Sequence, residues 1–403
     1  MNPKRVFCLI VAWLLFLPLV QADDASLAAI FTNAPVQHAA SRRTSVIVIT
    51  CEGLARGDLS CYGQTHFQTP NLDQLAAEGT RFTGYHATGD DSAAEMAALM
   101  TGNTTALSNG VMSLSERLHE AGYRTCAVGV WPLSAKPWNE GFDEFVGFFD
   151  EREADNYFSD FVWRYGAEIS QTEANGTRSA QREEIYQNTG GHRDRFLPDT
   201  FMSAAINFTR IAAPDRANWF RPFFLYVNLP LPRSVSPGKD EYTVPTDAPY
   251  TDETWPQAAK NRAALIGRLD TDIGRLREEL NKLKLTNNVA IFFSGLAAPQ
   301  AFANTNLNFL ELPGEVRGGH SEGRLSLPMI VHWPDHVPAG RVSPAPWTTP
   351  DLAPTILQLT ESKPIPSVGG MSMLRILLNE PGTIAPDFPE GSGRPNGGPG
   401  ILR

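Results

Sequence analysis

Five short strand-like runs constrain the fold of this chain more than any other feature. They are Val46 to Thr50, Arg124 to Val130, Pro222 to Leu229, Val289 to Ser294 and Met329 to Trp333. Val46 to Thr50 is continuously apolar, as a strand buried on both faces of a parallel sheet is. Helical patterns alternate with these runs. Thr69 stands at a helix start with Pro70 in the first turn and Gly79 at the stop, and Leu72, Leu75 and Ala76 give that helix one apolar face. Ala93, Met96, Ala97 and Met100 recur at helical spacing. Ser113 and Glu116 read as a capping box. A helix opening at Asp199, a long one striped by Leu265, Leu269, Ile273, Leu276, Leu280 and Leu283, and a last one from Thr349 to Leu359 complete the set. The alternation predicts an α/β fold, with a mostly parallel mixed central sheet and helices on both faces. In such folds the site lies beyond the carboxyl ends of the strands. That rule selects Glu52, the turn after Val130, the loop after Leu229 and the loop after Ser294.

The ends of the chain read differently from its middle. Lys4 and Arg5 precede an apolar run, Val6 to Val20, and Val20-Gln21-Ala22 reads as a small-residue cleavage site. Residues 1–22 are therefore expected to be a signal peptide and the mature chain to be exported, periplasmic or extracellular, with no membrane contact after cleavage. Residues 23–44 form a lead-in, 45–378 one domain, and 379–403 a Gly/Pro-rich tail expected to be disordered. Residues 150–198 are polar and irregular and read as a surface insertion. The net charge of −10 carries no basic face, which excludes a nucleic-acid binder. Cys51, Cys61 and Cys126 allow one disulfide and a free thiol, or three buried thiols.

Ten segments together resemble one family. GDLSCYG (57–63), TPNLDQLAAEGTRFT (69–83), ALMTG (98–102), EAGYRTCAVGVW (120–131), GFDEFVGF (141–148), PFFLYVNL (222–229), RLDTDIGRLREEL (268–280), PMIVHWP (328–334), PAGRV (338–342) and DLAPTILQL (351–359) are similar to the sulfatases of the alkaline-phosphatase-like superfamily, in that family's order and spacing. The resemblance spans roughly residues 45 to 375 and implies an ancestral sulfate-ester hydrolysis. The family's small C-terminal subdomain is expected to be missing.

The resemblance also implies a site, and here the chain departs from the pattern. The family holds Ca²⁺ with two Asp after the first strand and an Asp-Asn pair after a late one; these positions read Glu52-Gly53 and Gly295-Leu296. Calcium wants six to eight oxygen ligands, so the site is expected to be lost. Glu52 is left as a vestigial metal position or as a helix-start or surface carboxylate. The family nucleophile, a Cys or Ser converted to formylglycine in Cys/Ser-x-Pro/Ala-x-Arg, corresponds to Ser92-Ala93-Ala94-Glu95-Met96. The hydroxyl remains and the Arg does not; Ser92 is also placed to cap its helix. Gly-Lys-Trp-His corresponds to Gly129-Val130-Trp131-Pro132, Pro-His to Pro232-Arg233, and Gly-Gly-Lys to Gly318-Gly319-His320. Arg233 keeps a positive charge but cannot act as a titrating acid. His320 is a candidate proton donor or ligand, or a loop histidine with neither role. Asp90 and Asp91 would repel an anionic sulfate.

The sequence is thus read as a sulfatase-family protein that has lost hydrolysis and binds a sulfated glycan or a protein partner, with no cofactor expected. Two alternatives stand: a divergent hydrolase using Ser92, which would need Ca²⁺, and a non-functional truncated copy. Aromatic residues between Trp138 and Trp163, with Trp219, offer a sugar-stacking surface or simple packing.

Overall fold

The computed structural model describes residues 43–383, apart from 90, 104–110, 170, 173–177, 216, 234–241, 298–319, 322–323, 366–368 and 382. The expected signal peptide and most of the lead-in and tail lie outside the described residues.

In chain order the strands used below are β1 (Ser45–Cys51), β2 (Thr80–Phe82), β3 (Tyr85–Ala87), β4 (Arg124–Val130), β5 (Glu144–Phe148), β6 (Phe161–Tyr165), β7 (Gln181–Glu184), β8 (Phe223–Leu229), β9 (Val289–Gly295), β10 (His320–Ser321), β11 (Arg324–Ser326), β12 (Met329–His332), β13 (Arg341–Ser343) and β14 (Trp347–Thr348). The helices used below are α1 (Pro70–Glu78), α2 (Ser92–Thr101), α3 (Leu114–Glu120), α4 (Glu151–Ala154), α5 (Leu197–Ile211), α6 (Gln257–Lys282) and α7 (Leu352–Leu359). Ten strands form the central sheet in the order β13-β2-β12-β9-β1-β8-β4-β5-β6-β7. The run β9-β1-β8-β4-β5 is parallel, and antiparallel strands flank it on both sides. The class is the expected α/β, mostly parallel and mixed.

β1 lies inside the parallel run, with Ile49 opposite Val227 of β8 and Phe293 of β9. All its residues are buried, because both faces are covered. Val46 and Val48 join one core with Met96 and Leu99 of α2, Leu118 of α3 and Ile356 of α7. Ile47, Ile49 and Cys51 point the other way, to Leu72 of α1, Phe201 of α5 and Leu269 of α6. This double burial is why β1 shows no polar alternation.

Residues 150–198 are not a surface insertion. β6 and β7 extend the central sheet, and Tyr157, Phe158 and Phe196 are buried in its core. Charged residues such as Arg164, Arg182 and Glu183 on these outer strands hide them in the sequence, as charges on sheet edges commonly do. All three described cysteines are free thiols; Cys51 and Cys126 are buried and Cys61 is half-buried. Among the described residues no helix is long and apolar enough to cross a membrane.

Candidate functional site

The parallel register brings the strand ends level. Cys51 pairs with Leu229 and with Gly295, and Asn228 pairs with Gly129. Glu52, the residue after β1, therefore emerges where β8, β4 and β9 also end. Its backbone amide continues the ladder to the Leu229 carbonyl at 2.9 Å.

Glu52 is not a surface carboxylate, nor does it start a helix: it is 1% exposed. Asn228 Nδ2 donates to its Oε1 at 3.0 Å and to the Val130 carbonyl at 3.0 Å. Asn228 Oδ1 accepts from Thr50 Oγ1 at 2.9 Å, and that hydroxyl also meets the Tyr226 hydroxyl at 3.0 Å. Oε2 of Glu52 faces Arg233 Nη1 at 3.3 Å, an ion-pair distance, with no hydrogen bond aligned to it. Burial pushes the Glu52 carboxyl up to about 7; the Arg233 charge opposes that shift, and the Glu151 charge adds to it.

Arg233 collects more than Glu52. Nη1 donates to Glu151 Oε2 at 3.0 Å; Nη2 donates to Asp155 Oδ1 at 2.5 Å and to the Glu151 carbonyl at 2.8 Å. Both terminal nitrogens are engaged within the protein, so the guanidinium is not open to grip an anion. The backbone beneath it is fixed as well. The Tyr157 hydroxyl donates to the Pro230 and Arg233 carbonyls. Gly53 has φ +78°, a backbone conformation that favours glycine, and a Cβ there would press on the Arg233 Cα at 3.3 Å.

A second buried guanidinium ties the same two turns. Arg262 of α6 donates to the Gly53 carbonyl at 3.0 Å and the Pro232 carbonyl at 2.9 Å, and pairs with Asp58. The turn holding Glu52 and the turn holding Arg233 are thus stapled from below.

The other candidates fall elsewhere. Asp91, not Ser92, is the N-cap of α2: its Oδ1 accepts from Ala94 N at 2.7 Å. The backbone enters the helix one residue earlier than the hydroxyl pattern implied, and Ser92 becomes the first helical residue, half-buried. Among the described residues its hydroxyl contacts no base. His320 lies in β10, its backbone paired with Leu325 in a second sheet of order β10-β11-β3-β14. The fold joins Glu52 to Arg233; among the described residues no contact links either to Ser92. Trp138 stacks on Tyr165 at 4.4 Å and Trp163 packs on Phe149 and Phe161, whereas Trp219 is 86% exposed.

The residues do not fit the calcium ion that the family resemblance implies. Leu296 is fully buried in the hydrophobic core. Gly295 has no room for an acid, since a Cβ there would lie 2.7 Å from the Leu54 carbonyl. The remaining carboxylate already faces a guanidinium. Among the described residues no group of three or more His, Cys, Asp or Glu is arranged to hold a metal.

The sequence reading missed Asn228, Glu151, Asp155, Tyr157 and Arg262. Arg262 left a signal, being a charge in line with the apolar stripe of α6 four residues before the buried Ile266. Asn228 did too, as a polar residue inside an otherwise apolar strand. Glu151 and Asp155 left none, because nothing local distinguishes them from other acids.

Similar proteins agree with this architecture. The chain is 26% identical to N-acetylgalactosamine-6-sulfatase of Canis lupus familiaris, over 85% of this chain and 68% of that one. It is 25% identical to arylsulfatase G of Mus musculus, over 78% of this chain and 65% of that one. It thus spans about two thirds of the length of these curated relatives. Among solved structures, Ps i-CgsB in complex with k-i-k-neocarrahexaose superimposes with a TM-score of 0.62 at 24% identity, covering 84% of this chain and 76% of that one. PsFucS1 sulfatase from Pseudoalteromonas sp. gives 0.62 at 20% identity, covering 84% and 72%. These two likenesses bear on the fold alone. The family model described as Sulfatase matches residues 44–362, most of the chain, and the protein belongs to the sulfatase family.

Proposed function

We propose that this protein is an exported sulfatase-family member that does not hydrolyse sulfate esters and that binds a sulfated glycan at the face beyond the strand ends. One observation carries the reading: the guanidinium of Arg233 is hydrogen-bonded to Glu151 and Asp155 and ion-paired with Glu52, where the family's chemistry calls for a metal and open cationic groups. Electrostatic stabilisation of the developing charge is the largest contribution to catalysis of this kind. Here Arg233 is spent on internal carboxylates, and among the described residues Ser92 has no base to activate it. The names of the relatives, N-acetylgalactosamine-6-sulfatase among them, support a sulfated sugar as the ligand class. Export is supported by the leader-like first 22 residues.

The test is turnover of an aryl sulfate by the purified chain, beside Ser92→Ala and with mass spectrometry of the peptide holding Ser92. No turnover, and a Ser92 mass unchanged from serine, is the expected result. Turnover that Ser92→Ala abolishes would establish the divergent hydrolase instead. A glycan array read at several salt concentrations tests the ligand. Binding of sulfated but not desulfated glycans that weakens with salt supports the reading, and indifference to sulfation removes the glycan from it.

A further inference from the structure

The cluster around Arg233 has the composition of a cation site with the cation covalently attached. Its carboxylates come from separate segments: Glu52 follows β1, while Glu151 and Asp155 stand at the two ends of the α4 turn. Arg233 enters from the loop after β8, with its side chain 11% exposed. Without it, three carboxylates would face one another. Glu52, at 1% exposure, would keep only the Asn228 amide as partner, with Oε2 buried and bare. An unpaired buried carboxylate is among the most costly arrangements a fold can hold. The position of the guanidinium is also fixed from several sides. Tyr157 holds its carbonyl, Arg262 holds the preceding Pro232 carbonyl, and Gly53 lets the β1 turn pack against its Cα.

We infer that the Arg233 guanidinium is the resident cation of this pocket, one that joins the ends of β1, β8 and α4 and stands where the family resemblance implies a metal. The inference rests on the reading of the pocket as one without a metal, but not on the absence of turnover. Arginine suits the role better than lysine would. Its planar fork reaches Glu151 and Asp155 with different nitrogens while facing Glu52, and it stays charged at every working pH.

The experiment compares the full chain with Arg233→Ala by calorimetric titration of CaCl₂ and by thermal melting with EDTA, with millimolar CaCl₂ and with ethylguanidinium. Wild type is expected to bind no stoichiometric Ca²⁺ and to melt at the same temperature in EDTA and in CaCl₂. Arg233→Ala is expected to melt several degrees lower, to recover part of that loss in ethylguanidinium but not in CaCl₂, and to bind no stoichiometric Ca²⁺. Should Arg233→Ala fail to fold, Arg233→Lys keeps the charge, and the wild-type titration needs no variant. Stoichiometric Ca²⁺ on wild type overturns the inference. So does an Arg233→Ala protein as stable as wild type and indifferent to both additives. Aryl-sulfate turnover without bound Ca²⁺ would remove the proposed function and leave this inference standing.

Discussion

Arg262 and Asp58 form a two-pronged ion pair across 204 residues of chain, Nε to Oδ1 at 3.0 Å and Nη2 to Oδ2 at 2.5 Å. Both side chains are buried, at 5% and 7% exposure. Because Arg262 also holds the Gly53 and Pro232 carbonyls, the pair fixes the two turns that carry Glu52 and Arg233.

Breaking that pair from one side should be costly. Asp58→Ala takes the two-pronged carboxylate from a buried guanidinium and is expected to lower stability by about 3–5 kcal/mol. Asp58→Ala combined with Arg262→Met should cost less than Asp58→Ala alone, since the buried charge leaves with its carboxylate. Urea denaturation of the variants measures both.

The start of α2 separates two adjacent residues. Asp91→Ala removes the cap on the Ala94 amide and should cost about 1 kcal/mol. Ser92→Ala removes no side-chain hydrogen bond among the described residues and should stay within about 0.5 kcal/mol of wild type. Equal losses at the two positions would contradict the assignment of Asp91 as the cap.

Glu140 provides a pH dependence away from the pocket. It is buried, and burial first, then the charge of Glu116, pushes its carboxyl from the ordinary 4.5 up to about 7. Between those values the folded protein holds a proton that the unfolded chain has released. Stability therefore falls as pH rises from about 4.5 to about 7, and the penalty persists above that. Glu52, pushed up to about 7 chiefly by burial, adds a slope of the same sign. Glu140→Gln should flatten part of this decline and stabilise the protein at pH values above 7. Urea midpoints at acidic and alkaline pH, with and without the substitution, give the slopes.

Restoring the family's late acid should fail on steric grounds. Gly295→Asp drives a Cβ to 2.7 Å from the Leu54 carbonyl, a backbone atom that cannot swing aside. A loss of about 1–3 kcal/mol is expected, with no gain of Ca²⁺ affinity. Thermal melting and a calcium titration of this variant check both halves.

The sequence by itself determined the layers of this protein and the end of the sheet where its site lies. Continuous burial of β1, helical stripes such as Leu265 to Leu283, and the capping box at Ser113 and Glu116 are local patterns, and local patterns are written in order along the chain. The likeness of ten separated segments to one family followed from the same text. The chain also marked Glu52 and Arg233, but as unrelated residues, Glu52 as a vestigial metal position or a helix-start or surface carboxylate. Only the tertiary structure decided that they face each other. Their meeting depends on β8 lying beside β1, on Asn228 holding one oxygen of Glu52, and on Glu151 and Asp155 arriving from a segment whose polarity disguised its place in the sheet. A carboxylate's burial and charge partners are set by neighbours distant in sequence. No spacing records whether a buried acid will meet an ion, an amide or a guanidinium.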